Sequence, residues 1–337
     1  MRAFVVEAPF RAGVVEVDEP VARPGEAIVE VHRAGVCGTD VAFFTGEMPL
    51  LHDGNAAFPM RIGHEWMGVV VAVADGVDDG LLGQRVTGDT MLGCQECDRC
   101  RAGYQHVCES RFEVGVRGGK AGALAERISV PAFSLHRLPD AVDDAAGALV
   151  EPAGNAIRSV IQSGVAPGER LLVIGAGSIG IVAAMYARAL GIEAHLLGRS
   201  ASSLDFARAV GLDLVWSQDT LPQLAWHGVV NASTDHAMPQ RAVDVVEPGR
   251  KVVFLGLAGQ PSIVDTRNMV FKDVTAVGML SGSPVIETTI EAFASGLVDA
   301  RPLIAATIPL DGLAAVLGGQ RPSGAGAGPK IHIDPRI

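Results

Sequence analysis

The chain has no excess of positive charge, no block of five or more like charges, no unbroken apolar run of membrane-spanning length, and few cysteines. Lysine and arginine number 27 against 38 aspartates and glutamates, for a net charge of −11. That balance argues against nucleic acid or an anionic membrane surface as the main partner. The opening MRAFVVEAPFRAG places Glu7 and Pro9 where a secretory signal needs an uninterrupted apolar core. One stretch, Leu171 to Ala187, carries no charge. It contains Gly175, Gly177 and Gly180 and stops short of the roughly 20 apolar residues of a span. A buried parallel strand running into a buried helix explains it better. The expectation is a soluble, cytoplasmic protein with a small-molecule partner, and neither nucleic acid nor membrane.

Four of the five cysteines lie between Cys94 and Cys108, and Cys37 stands alone. Without a secretory signal, such clustering reads as metal binding rather than disulfides. The spacing C-x2-C-x2-C-x7-C at Cys94, Cys97, Cys100 and Cys108 can wrap four thiolates around one tetrahedral ion. A full shell leaves no position for water or substrate, so this zinc would be structural. The plain alternative is unpaired or redox cysteines; iron–sulfur runs have other spacings.

At 337 residues the chain is long enough for two domains with sizeable cores. Its first hundred residues are β-rich, with short runs such as Ala27 to His32 and Gly68 to Ala74 broken by Gly and Pro turns. That pattern suggests a partly open barrel. Within it the segment Gly35 to Gly68 contains G-V-C-G-T-D and G-H-E-W-M-G. Cys37 offers a thiolate, His64 an imidazole and Glu65 a carboxylate, ligand types that suit a zinc left partly open for chemistry. Adjacent His64 and Glu65 cannot both point the same way from a regular strand, so a glycine-flanked turn is expected there. Asp40 is placed to orient His64, and Thr39 carries a hydroxyl two residues from the thiolate. A buried thiol and a solvated turn would account for the same residues. The intervening loop Thr45 to Met60, with Glu47, His52, Asp53 and Asn55, reads either as the lining of a substrate cleft or as plain surface.

The second half has an α/β rhythm. Leu171 to Ile174 forms a short apolar strand, followed by G-A-G-S-I-G at Gly175 to Gly180 and a helix from Ile181 to Leu190. This is G-x-G-x-x-G between a strand and a helix, the setting the motif requires. Gly175 permits the turn, Gly177 lets backbone approach a pyrophosphate, and Gly180 lets helix and strand pack closely. The amides of Ser178 and Ile179 open the helix toward the phosphates. The next strand, Ala194 to Leu197, ends at Gly198-Arg199-Ser200, where an NAD-binding fold places an acid for the ribose 2′-hydroxyl. Arg199 can pair with a 2′-phosphate and Ser200 can donate to it, which favours NADP while leaving NAD open. About six parallel strands follow from the remaining pattern, the number a doubly wound nucleotide domain uses. The turn Glu247-Pro248-Gly249 is read between a helix over Met238 to Val246 and a strand over Lys251 to Leu255.

In combination and in this order, G-V-C-G-T-D, G-H-E-W-M-G, the four-cysteine run, E-P-A-G-N-A and G-A-G-S-I-G resemble the zinc-dependent medium-chain dehydrogenases over nearly the whole chain. The polyol, sorbitol, threonine and glucose dehydrogenase branch is the most similar. The resemblance implies a GroES-like partly open β-barrel catalytic domain over 1–147, with a structural zinc lobe at 93–109. It further implies a doubly wound Rossmann domain over 148–283 and a return to the catalytic domain over 284–337. Two zinc ions per chain would be expected, the catalytic one held by Cys37, His64, Glu65 and, directly or through water, Glu151. From local sequence alone Glu151 is only an acid near a helix start. Many relatives carry a proton-relay histidine where this chain has Ala42, which leaves Thr39 as the remaining hydroxyl and makes threonine a less attractive substrate. The G-H-E-W segment also resembles cyclitol and aminocyclitol dehydrogenases, and relatives form dimers or tetramers through an edge strand.

The reaction implied is reversible oxidation of a secondary alcohol on a polyol, sugar or cyclitol, with hydride passing to the nicotinamide. Two rivals from other classes are a zinc hydrolase using Glu65 as base and a non-catalytic NADPH-binding protein of the same fold. The first gives no role to Gly175 to Gly180; the second would more naturally have lost Cys37 or His64.

Overall fold

A computed structural model describes all of residues 1–337. The chain divides into two compact units: Met1–Glu151 with Ile286–Ala294 and Leu303–Ile337, and Pro152–Val285 with Ser295–Pro302.

The first unit is built on alternation. Along the strand Glu26–Gly35, Ala27, Val29 and Val31 are fully buried while Glu26, Ile28 and Glu30 are half-buried. The alternation breaks at His32 and Arg33, where the register against the strand Glu65–Val73 shifts between Val31 and Arg33. Such a bulge inserts one residue and re-aims the side chains beyond it. Ala34 and Gly35 are consequently both buried at the strand's end.

A seven-stranded sheet runs in spatial order Ile304–Ile308, Lys330–Ile333, Glu26–Gly35, Glu65–Val73, Arg85–Gly88 and Leu135–Arg137, with Arg127–Pro131 also paired to Glu26–Gly35. One end of Glu26–Gly35 pairs with Arg127–Pro131 and the other with Lys330–Ile333. The sheet bends around a core that includes Phe4, Phe43, Ile62, Trp66, Leu124 and Ile128, the partly open barrel expected. Burying an aliphatic side chain such as Ile62 or Leu124 contributes roughly 1.5–3 kcal/mol before conformational entropy is counted.

The second unit carries six strands, all paired in parallel. Their spatial order is Val215–Trp216, Glu193–Leu197, Arg170–Ile174, Trp226–Asn231, Val246–Phe254 and Thr275–Gly278. Numbered along the chain this is 3-2-1-4-5-6, the doubly wound arrangement whose ligand site lies outside the carboxyl ends of strands 1 and 4. Leu171, Leu172 and Val173 are fully buried, which explains an apolar run without alternation. Glu247-Pro248-Gly249 lies within the strand Val246–Phe254 rather than between elements. There Trp226 pairs with Val246 and Gly228 with Lys251, so the turn residues bulge out of the ladder.

No helix is long and apolar enough to cross a membrane.

Candidate active site

Cys37 is the N-cap of the helix Gly38–Thr45 and has extended backbone angles. Asp40, in that helix's first turn, turns its carboxylate back. It accepts from the Cys37 amide at 2.8 Å and from the Gly63 amide at 3.1 Å. One buried carboxylate thus ties together two segments that lie 23 residues apart along the chain. Burial raises the Asp40 carboxyl above its ordinary value, and His64 and the Cys37 amide oppose that rise without cancelling it. Gly63 has φ +103 and makes the expected turn. His64 follows the turn, and Glu65 begins the strand Glu65–Val73. The two side chains therefore leave from differently oriented backbone.

The ligand atoms of Cys37, His64 and Glu65 lie within 4.8 Å of one another. A tetrahedral zinc, with sulfur at about 2.3 Å and nitrogen or oxygen at about 2.0–2.2 Å, keeps its ligand atoms roughly 3.5 Å apart. The three need only a small inward movement to share one ion. Their electrostatics agree. Burial alone would push the His64 imidazole toward its neutral form. Cys37, Asp40 and Glu151 outweigh it and hold its pKa well above the ordinary value. A pocket that pulls a proton onto a buried histidine is anionic and suited to a cation. The His64 Nδ1 has no hydrogen-bond partner, and the His64 carbonyl accepts from Thr90 Oγ1 at 3.1 Å.

Asp40 does not hold His64 by a hydrogen bond. His64 Nδ1 stands 3.9 Å from Asp40 Oδ1, too long for a hydrogen bond. Asp40 acts on His64 through charge and through the Gly63 backbone. Glu151 is the second residue of the helix Val150–Ser163. Its charge reaches His64, but it is not one of the three residues drawn together. Thr39 Oγ1 lies 4.0 Å from the Cys37 sulfur. His52 lines an open pocket of about 430 Å³ with Pro9, Gly46, Leu51, Ala56, Ala57 and Phe58.

Two features of the site lie beyond sequence reasoning. Glu65 is paired in register with Gly35, and a Cβ at Gly35 would fall 2.2 Å from Glu65 Oε2. The Glu65 side chain occupies that space, and its carboxylate meets Lys330 of the strand Lys330–Ile333. Its ammonium donates to Oε2 at 2.6 Å and also to Oε1, and it lies 3.3 Å from the Val36 carbonyl. Burial would raise the Glu65 carboxyl, but Lys330 and His64 win and hold it below its ordinary value. Lys330 stays protonated against burial because Glu65, Cys37 and Glu151 surround it. Across Gly35 on the other side, His332 is fully buried with neither ring nitrogen partnered. Burial pushes it down to about 3, with Lys330 and Arg33 adding to the effect and Glu65 opposing it. Nothing in K-I-H-I beyond strand alternation signals this role, because the partner lies 265 residues away.

Cys94, Cys97, Cys100 and Cys108 form a second group with sulfurs within 4.8 Å of one another. Cys94–Cys100 and Cys97–Cys108 are each 3.9 Å apart, far beyond a disulfide bond. The Cys97 amide approaches the Cys94 sulfur at 3.4 Å. Backbone amides of Glu96 and Cys97 lower Cys94 to about 6, while burial raises Cys100 to about 12.

The glycine motif has the geometry its chemistry needs. Gly175 has φ +113, and a Cβ on it would meet Ala232 and Ser233 backbone at 2.9–3.0 Å. A Cβ on Gly180 would fall 1.8 Å from the Gly175 carbonyl oxygen, so only glycine allows this helix to start so close to the strand. Gly177 is the N-cap of the helix Ser178–Ala189 without a side-chain cap, leaving the first-turn amides open to an anion. Arg199 and Ser200 follow the strand Glu193–Leu197 and are exposed. Ser200 Oγ caps the helix Ala201–Ala209, accepting from the Ser203 amide at 3.2 Å.

Comparison with known proteins finds the alcohol dehydrogenase GroES-like domain over residues 23–140 and the zinc-binding dehydrogenase domain over 178–295. An L-threonine 3-dehydrogenase of Deinococcus deserti is 33% identical over 332 residues, covering 92% of this chain and 94% of its own. A 2-dehydro-3-deoxy-L-galactonate 5-dehydrogenase of Pseudoalteromonas atlantica is 30% identical over 309 residues, covering 88% of each. Among solved structures, a protein described as a zinc-binding dehydrogenase from Sinorhizobium meliloti, bound to NADP, superposes with a TM-score of 0.88 at 25% identity and 99% coverage of both chains.

The Gly35 gap gives a direct stability test. Gly35→Ala is expected to displace Glu65 from Lys330 and to cost about 3–5 kcal/mol in denaturant unfolding, the usual penalty for breaking a buried ion pair. In a Glu65→Ala background the same substitution should cost far less. A Gly35→Ala protein within about 0.5 kcal/mol of wild type, the range of a neutral surface change, would contradict the geometry.

Proposed function

Because the chain belongs to the zinc-dependent medium-chain dehydrogenases, oxidoreductases acting on CH–OH groups, we propose that it interconverts a secondary alcohol and a ketone on a small polyol, sugar or cyclitol, with NADP favoured over NAD. The observation that carries the reading is the Asp40-clamped convergence of Cys37, His64 and Glu65 in a chain that also carries an open glycine-turn helix start.

Zinc would be held by Cys37 and His64 with carboxylate help from Glu65 and Glu151, and a second ion by Cys94, Cys97, Cys100 and Cys108. When bound, the first supplies Lewis acidity to a hydroxyl, an effect that lowers the pKa of water from about 16 to about 7. The chain's own groups do the rest. Cys37 and Glu65 bring negative charge to the cradle, and Lys330 offsets one of them. The Thr39 hydroxyl is the group proposed to accept the substrate's hydroxyl proton and pass it on, through water or the ribose, because Ala42 cannot relay one. The Ser178, Ile179 and Gly180 amides bind the pyrophosphate and Gly177 keeps the approach free of side chain. Arg199 pairs with the 2′-phosphate, and the Ser200 hydroxyl adds to it. Polyhydroxylated substrates are favoured over threonine because of Ala42.

Glu65 as the base of a hydrolase is disfavoured by Lys330. Both carboxylate oxygens accept from its ammonium, and the carboxyl is held below its ordinary value, which makes a poor base. The non-catalytic reading is disfavoured by the retention of Cys37 and His64.

We also propose a homo-oligomer joined through the second unit. Its sheet ends on Thr275–Gly278, a strand with no partner on its outer side. Beside it in sequence, Ile263, Val270 and Phe271 are 77–87% exposed. An unpaired edge flanked by exposed apolar residues invites pairing with a second copy.

Three outcomes test these readings. Cys37→Ser should lower turnover of a polyol, sugar and cyclitol panel by at least about 10³-fold while NADPH affinity stays within a few-fold, as expected when only transition-state interactions are lost. L-Threonine belongs in that panel, and a threonine-only activity would overturn the substrate class. Arg199→Asp should reduce kcat/KM for NADP by roughly 10–100-fold, the value of a charge-assisted pair, and leave NAD untouched; equal losses with both cofactors would rule out Arg199 as the partner of a 2′-phosphate. Phe271→Glu should shift the mass in solution from oligomer to monomer, whereas a wild-type chain that is monomeric at micromolar concentration would refute the interface.

A further inference from the structure

The strands Trp226–Asn231, Val246–Phe254 and Thr275–Gly278 form the half of the doubly wound sheet that the glycine turn does not serve. A dinucleotide laid across this arrangement has its second nucleotide beyond their carboxyl ends. From the last of them the chain runs on as Met279-Leu280-Ser281-Gly282-Ser283.

That segment is held at four points. The Met279 amide donates to the Phe254 carbonyl at 2.9 Å, extending the strand ladder by one residue. A Cβ on Gly282 would fall 2.5 Å from the Gly154 carbonyl carbon and 2.6 Å from the Asn155 nitrogen. The segment therefore lies backbone against backbone on those two residues of the helix Val150–Ser163. Ser281 Oγ accepts from the Ser283 amide at 3.1 Å. Half-buried Arg158, one turn beyond Gly154 on the same helix, donates from Nη1 to the Ser281 carbonyl.

One group in the segment is left unused. Ser281 is 3% exposed, yet its amide donates to no group of the chain. Buried amides without a partner are rare, because nothing replaces the hydrogen bond they made with water. Beside it Leu280 is 47% exposed, and Leu257, past the end of the neighbouring strand, 77%. Apolar side chains next to one unsatisfied donor fit a flat ring that carries an acceptor. The nicotinamide ring with its carboxamide oxygen is such a group.

We propose that Arg158 is a positioning residue for the cofactor, holding Ser281 so that its amide meets the carboxamide oxygen of the nicotinamide. This rests on the chain taking a nicotinamide dinucleotide, as proposed above. The Ser281 amide and carbonyl flank one Cα, so fixing the carbonyl against the helix also restricts where the N–H points. Gly282 has no side chain to do this, and the helix supplies the donor instead. Without Arg158 the residue can turn and the amide loses its aim, while the glycine turn Gly175–Gly180 is untouched. A purely structural arginine behaves otherwise: its loss loosens the whole unit and weakens both halves of the cofactor site together.

The test separates those halves. Affinities of NADPH, NADH and the two matching ADP-ribose compounds, which lack only the nicotinamide, are measured side by side, with the fluorescence of the bound reduced cofactor as a second readout. In Arg158→Met, affinity for the dinucleotides is expected to fall about tenfold, as for the loss of one hydrogen bond. Bound-cofactor emission should shift toward that of free NADPH, and the ADP-ribose affinities should not change. Arg158→Lys, which keeps a donor on a long stem, should recover part of the loss. Should Arg158→Met fail to fold, the shorter, polar Arg158→Gln should give the same split. In the wild-type chain, amide exchange should show Ser281 protected by the dinucleotide and not by its ADP-ribose counterpart. A folded Arg158→Met or Arg158→Gln protein that binds all four ligands as wild type does, or loses all four alike, overturns the proposal. So does a Ser281 amide that the dinucleotide leaves unprotected. A wild-type chain with no affinity for either dinucleotide overturns the proposed function and this inference with it, a failure seen before any variant is made.

Discussion

The Asp40 carboxylate, accepting from the Cys37 and Gly63 amides, is the interaction on which the first unit's chemistry depends. A metal site needs ligands from separate parts of a chain held in place before the ion arrives, because assembling them at binding would cost conformational entropy. Asp40 meets that need from the first turn of the helix Gly38–Thr45, where a carboxylate also suits the helix dipole. Being fully buried, it has no water to fall back on, so its two amide partners are obligatory. The consequence is the Cys37 sulfur and the His64 ring held close together in an anionic pocket. The raised pKa of His64 records the pull of that pocket on any positive charge.

Around this clamp the sheet contributes what the helix cannot. The bulge near His32 brings Gly35 opposite Glu65, the Glu65 side chain fills the space of the missing Cβ, and Lys330 meets its carboxylate from a neighbouring strand. Helix-borne Cys37 and strand-borne Glu65 therefore answer to different supports. Asp40 fixes the first through backbone, and Lys330 the second through charge.

Much of this was legible in the sequence where the signal is local. The turn Gly175–Gly180 and the run Cys94–Cys108 carry their geometry in their spacing, since backbone sterics and tetrahedral coordination act over a few residues. About six parallel strands follow from apolar runs and turns, although the two-residue edge strand Val215–Trp216 is too short to signal itself, and Glu247-Pro248-Gly249 is a bulge inside a strand because ladder pairing resumes at Lys251. Asp40 was legible as important but not in its action: a carboxylate three residues from a cysteine suggests a histidine partner, whereas helix geometry returns it to the Cys37 amide. Lys330 and His332 were not legible. Their meaning comes from a register across three strands that only the folded sheet supplies. Glu151 entered through family resemblance, and local sequence gives it no more than a helix start.

The most direct measurement is X-ray absorption at the zinc edge of the metal-loaded chain. Two ions sharing five cysteine sulfurs are predicted, so the average shell should mix sulfur near about 2.3 Å with nitrogen and oxygen near about 2.0–2.2 Å. Cys37→Ser should move only the mixed component. An all-sulfur shell from a single ion, indifferent to Cys37, would contradict a catalytic cradle clamped by Asp40.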